Sequence, residues 1–130
     1  MTKEEKQLYT DQLQEIQDFL YEEVDDHNTD LLVERLTKMN SYLAMVTELY
    51  PRLVEIQQAY LQVAYQQNIE WIFKAPATVA NRYIESQTID ANKLVNWSER
   101  INRAIVHISE NMRTTISLRK QELVLTRTGY

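Results

Sequence analysis

An all-α fold is predicted for this chain: a helical bundle of about four to five helices, with a long C-terminal helix that associates with a second copy. Three observations lead there. Glycine occurs once, at Gly129, and proline twice in 130 residues. The turns of hairpin sheets and the Gly-rich loops that cradle phosphates therefore have almost no residues to build them. Apolar residues recur at helical spacing along nearly the whole chain. A composition of 44% hydrophobic and 25% charged residues is that of a folded globular chain, and the length suits a single helical domain over residues 1–130.

Thr2-x-x-Glu5 fits a capping box, which starts the first helix at Lys3. Leu8, Leu13, Ile16, Leu20 and Val24 form its apolar stripe, and Asp25-Asp26 opposes the macrodipole at its end. Thr29 is the expected N-cap of a second helix. In that helix Leu32, Leu36, Met39, Leu43, Val46 and Tyr50 step by 4-3-4-3-4, an a/d seam. Pro51 either opens a third helix or kinks a continuous one, and helical spacing then runs from Arg52 to Lys74 through Leu53, Ile56, Tyr60 and Val63. Ala75-Pro76 ends it. Thr78 is positioned to cap a short helix over Val79–Glu85, and Thr88 to cap the last one.

That last helix runs without Gly or Pro from Ile89 to Leu125. It spans about 55 Å, whereas the other long helices, broken at Pro51, span about 30–35 Å. Its stripe, from Leu94 through Ile101, Ile105, Ile108, Met112 and Ile116 to Leu123, is then longer than any neighbour. The tail beyond about Thr115 is expected to pair with another chain in a C2 dimer. Arg119 falls on this stripe, so it is expected to be wet or to meet an acid such as Glu122 of a partner chain.

Net charge is −5. Residues 1–65 carry five bases and thirteen acids, whereas residues 66–130 carry nine bases and six acids. Duplex DNA is a disfavoured partner for so acidic a chain. No run is apolar enough to be a leader or to span a bilayer, so a cytoplasmic protein with no membrane partner is expected.

Most catalytic chemistry has no residues here. Cys is absent, which removes thiol catalysis and cysteine metal sites. Neither His27 nor His107 follows a Glu by three, so the Glu-x-x-His ligand pairs of di-iron bundles are missing. Asp25, Asp26 and Asp30 lack the spacing and the Gly of a calcium loop. His107-x-x-Glu110 reads as a surface pair. A non-enzymatic protein with no metal and no cofactor is expected.

One constellation stands out. Asn96, Arg100, Arg103, His107, Asn111 and Thr114 recur by 4-3-4-4-3 on the last helix. With Ile101 at zero they lie between about 200° and 280° on the helical wheel, and Trp97, at about 320°, borders the apolar stripe. Guanidinium forks suit phosphate oxygens, amides and an imidazole add hydrogen bonds, and an indole supplies a stacking face. These seven residues are the candidate ligand site. The bland alternative is a solvated face with local pairs such as Glu99–Arg103. Trp71, Phe73 and Lys74 form a second aromatic-basic cluster, read mainly as a helix-end anchor in the core.

The string Trp97-Ser98-Glu99-Arg100-Ile101-Asn102-Arg103-Ala104-Ile105-Val106-His107, continuing as Asn111-Met112-Arg113-Thr114-Thr115-Ile116-Ser117, resembles small helical accessory proteins of unknown function encoded by phages and mobile elements of Bacteroides-type bacteria. The acidic start Met1-Thr2-Lys3-Glu4-Glu5-Lys6 is similar to theirs as well. The resemblance implies a phage-type accessory protein in a bacterial host and carries over no catalytic residue. Expected functions are then capture of a small anionic, nucleotide-like ligand such as a host immune signal, or docking of a host protein or phage assembly factor. The docking face would be acidic: Glu15, Asp18, Glu22, Glu23, Asp25 and Asp26. A role with single-stranded DNA would rest on Trp71, Lys74 and Arg82.

Overall fold

The computed structural model describes residues 1–127. Residues 128–130, part of the extreme C-terminus expected to pair with another chain, lie outside them. Five helices follow in order: α1 Lys3–Leu20, α2 Thr29–Gln67, α3 Ile69–Lys74, α4 Ala77–Gln87 and α5 Ile89–Arg127. Among the described residues there is no strand, and no helix is long and apolar enough to cross a membrane.

The first helix begins as its sequence dictates. The Glu5 backbone N–H donates to Thr2 Oγ1 at 3.1 Å. Leu13, Ile16 and Phe19 are buried on its inner face, whereas Leu8, expected on the same stripe, is exposed. α1 stops at Leu20, four residues before the expected Val24. Arg35 of α2 explains the stop. Its guanidinium donates to the Phe19 carbonyl at 2.8 Å and to Glu22 at 2.9 Å, and lies 4.2 Å from the centre of the Phe19 ring. A cation at the helix C-terminus satisfies a carbonyl that the next turn would otherwise have taken.

α2 is one helix of 39 residues with Pro51 inside it. Its side-chain cap comes from Asn28, one residue before the expected Thr29: Asn28 Oδ1 accepts from the Leu31 N–H at 3.1 Å. Leu49 and Leu53, on either side of Pro51, are both buried. Burial on both sides outweighs the hydrogen bond that proline deletes, so the helix continues. It ends at Gln67, seven residues short of Lys74, and the side chain of the next residue, Asn68, turns back to the Ala64 carbonyl at 2.8 Å.

α5 also has 39 residues, so the length mismatch inferred from a break at Pro51 does not exist. Both helices span about 58 Å. They run antiparallel: Gln57 bonds Asn92, Tyr50 bonds Glu99, and Met39 accepts from Ser109. α1 lies parallel to α5, with Lys6 paired to Asp90 and Gln17 bonded to Trp97. The core of the three long helices holds Leu13, Ile16, Met39, Val46, Leu53, Ile101 and Ile105.

α4 packs at the C-terminal end of α2, with Ala80 and Ile84 buried. It begins at Ala77 after Pro76, with no side-chain cap, so Thr78 does not serve as one. Thr88 is buried and its hydroxyl faces backward, between the Ile84 and Glu85 carbonyls and the Asn92 amide. α3 buries none of its residues. Trp71 meets Tyr83 edge-on at 4.9 Å and Phe73 is 84% exposed, so this cluster is no core anchor.

Arg119 needs no partner chain. It is largely covered, bonds Glu122 of its own helix at 3.1 Å, and reaches Asp26 in the loop before α2. Residues 120–127 of α5 are exposed throughout.

Candidate functional site

The ridge expected from the sequence is a continuous outer face of α5. Asn96, Arg100, Arg103, His107, Asn111 and Thr114 are all exposed, and Trp97 is half-buried. The face is not uniform. Asn96, Trp97, Arg100 and Arg103 gather with Lys93 and Glu99 around an open depression of about 630 Å³. Asn111 lines a separate hollow beside Leu20 and Met112 near the end of α1. Thr114 returns its hydroxyl to the Glu110 carbonyl at 3.1 Å. His107 and Thr114 line neither of these depressions, so the seven residues form one face but not one site.

Glu99 decides the electrostatics of the first depression. A carboxylate at i−4 to Arg103 would normally neutralise it. Here Tyr50, from α2, donates its hydroxyl to Glu99 Oε1 at 3.0 Å. That bond, with some burial and the charge of Glu99, pushes the Tyr50 phenol above its ordinary value. The Glu99–Arg103 pair does not form. Among the described residues Lys93, Arg100 and Arg103 make no ion pair. Lys93, Arg100 and Arg103 thus outnumber Glu99, the one carboxylate that lines the depression, an arrangement that attracts anions and holds phosphate through guanidinium forks.

Trp97 has another task. Its indole N–H donates to Gln17 Oε1 at 2.7 Å, and its ring packs on the core. It fastens α1 to α5 and lines the depression as a half-buried residue. Two residues missed by the wheel belong here. Lys93, seven residues before Arg100, is on the same face and was visible from spacing alone. Tyr50 was hidden, because its role depends on a contact with a residue 49 positions away.

A second groove adjoins the first on the flank of the α2–α5 pair. It encloses about 590 Å³ and has Val46, Thr47, Tyr50 and Pro51 on one wall, with Glu99, Asn102 and Arg103 on the other. Residues that meet α1, namely Arg35 and Tyr42 on α2 and Asp90 and Trp97 on α5, take no part in it. This is the side of the pair away from α1.

The other sequence candidates are dispersed. Acids of the α1 face are partly engaged within the chain: Glu15 by Tyr42, Asp18 by Gln14, Glu22 by Arg35 and Asp26 by Arg119. No group of three or more His, Asp or Glu able to hold a metal ion occurs among the described residues. Comparison of the chain with protein-family models, with curated proteins and with solved structures finds no match.

Proposed function

We propose that this chain is a non-enzymatic binding protein that captures a small phosphate-bearing ligand on the outer face of α5. Arg100 and Arg103 hold the anion, Lys93 adds charge, and Asn96 supplies a hydrogen bond. The observation that carries this reading is the excess of three cations over one carboxylate around the depression, with Glu99 bonded to Tyr50 and not ion-paired with Arg103. His107, Asn111 and Thr114 extend the polar face and steer a ligand without gripping it. Nucleotide signals of a host defence system have the required chemistry. The resemblance of the Trp97–Ser117 stretch to phage accessory proteins of unknown function supports a phage-type accessory role.

Titration calorimetry with inorganic pyrophosphate tests the reading. Arg100→Ala combined with Arg103→Ala is expected to weaken binding at least about tenfold, because charge-assisted hydrogen bonds contribute about 1.5–3 kcal/mol each. Helix content stays unchanged, since both side chains are exposed. Equal binding by the double variant and the parent would sink the proposal.

Self-association belongs to the same reading in a reduced form. With the length mismatch gone, its support is the exposed continuation of the apolar stripe at Leu123.

A further inference from the structure

The a/d seam of α2 divides in the fold. Leu32, Met39 and Val46, one row of it, are at most 3% exposed. Leu36, Leu43 and Tyr50, the other row, are only partly buried. Packing between helices covers both rows of such a seam, so the second row is short of a neighbour. Tyr50 lines the open groove and so places this row on the flank of the α2–α5 pair away from α1. Val33, three residues before Leu36, extends the row and is 45% exposed. α5 supplies the other wall. The Tyr50–Glu99 and Gln57–Asn92 bonds fix the antiparallel register. By equal steps along the two helices, Leu43 lies at the level of Val106, and Leu36 at the level of Arg113. Val106 is 42% exposed. Steps of seven keep Glu99, Val106, Arg113 and Lys120 on one face of α5.

The opposite side of the same helix pair shows what fits such a face. There α1, a helix of 18 residues, packs its apolar residues Leu13, Ile16 and Phe19 into the core. The open flank runs about 21 Å from Tyr50 to Leu36, the length of about four helical turns. Its charge is one-sided. Glu99 is bonded to Tyr50. Arg113 and Lys120 are exposed, and among the described residues neither makes an ion pair, not even Arg113 with Glu110 one turn before it. A half-covered apolar row calls for an apolar seam, and the cations beside it call for carboxylates on the edge of that partner. We infer that this flank docks an amphipathic α-helix of a partner protein, apolar along its seam and acidic along the edge that meets Arg113 and Lys120. Leu43, Val106, Arg113 and Lys120 do not line the cationic depression, so the inference stands apart from the phosphate reading.

Two labelled synthetic peptides test the inference by fluorescence anisotropy. Both carry leucine at each a and d position of about three heptads. The flanking e and g positions are glutamate in one peptide and lysine in the other. The glutamate peptide is expected to bind about tenfold tighter than the lysine peptide, since complementary charges attract where like charges repel. Val106→Glu sets a charge in the middle of the apolar wall and should abolish binding of the glutamate peptide. Arg113→Glu combined with Lys120→Glu should reverse the preference between the peptides. Helix content should match the parent in each variant, because all three positions are exposed. Failure of the glutamate peptide to bind, equal affinity for the two peptides, or indifference to these substitutions overturns the inference. So does a parent dimer that Val106→Glu converts to monomer, because a second copy would then cover the flank. Pyrophosphate binding by the parent reports on the phosphate face alone.

Discussion

Single side chains carry two consequences that can be measured apart from any ligand. Ser98 lies inside the core, 0% exposed, and its hydroxyl finds no hydrogen-bond partner among the described residues. An unpaired buried hydroxyl costs about 1–3 kcal/mol, and alanine is the better helix former. Ser98→Ala is therefore expected to raise stability by about 1 kcal/mol in urea denaturation, against the usual direction of core substitutions. Tyr42 gives a pH dependence. Burial first, and the nearby Glu15 carboxylate second, hold its phenol above the ordinary value of 10.0. A phenol raised in the folded state contributes stability that is intact below pH 10.0 and lost as pH rises through the folded value. Between pH 9 and 11, Tyr42→Phe should lose less stability than the parent, and identical slopes would contradict this. The sequence made such residues only half legible. Periodicity put Ser98 and Arg103 on their faces, but the partner that takes Glu99 from Arg103 sits on another helix.

At the scale of elements, Pro51 is where local and tertiary preference disagree. Read locally, it opens a new helix or kinks a continuous one. In the structure it interrupts nothing, because Val46, Leu49 and Leu53 around it are all buried in the core. Proline in a helix interior costs about 3 kcal/mol relative to alanine. Pro51→Ala should then stabilise the fold by about 1–3 kcal/mol in urea denaturation, part of the gain being offset by the greater freedom of the unfolded chain. A loss of stability would mean that the proline ring itself is needed against α5. Helix existence and the α5 boundaries were legible, since an uninterrupted apolar stripe and the absence of Gly and Pro leave no other solution. The stop of α1 at Leu20 was not, because it depends on Arg35 reaching across from α2.

For the whole molecule, the open question in the sequence was why α5 is so long. The answer within one chain is α2, equally long and antiparallel, which covers the α5 stripe as far as Met112 and Ile116. Arg119 marks the limit, since it already reaches Asp26 in the loop before α2 begins. Leu123 comes next on the same face, seven residues after Ile116, and is 51% exposed. No turn of α2 remains beside it. A second copy related by a twofold axis would bring two such ends together and bury both leucines, at about 25 cal/mol per Å² of apolar surface removed from water. Small as that area is, it adds to the contact along residues 120–127 rather than standing alone. The parent protein is expected to sediment as a dimer, and Leu123→Glu to shift it toward monomer with helix content unchanged, because the substituted position lies outside the core. Removal of the residues after Lys120 should act in the same direction. Sedimentation equilibrium decides the matter: a monomeric parent, or a dimer indifferent to both changes, places the α5 end outside any interface.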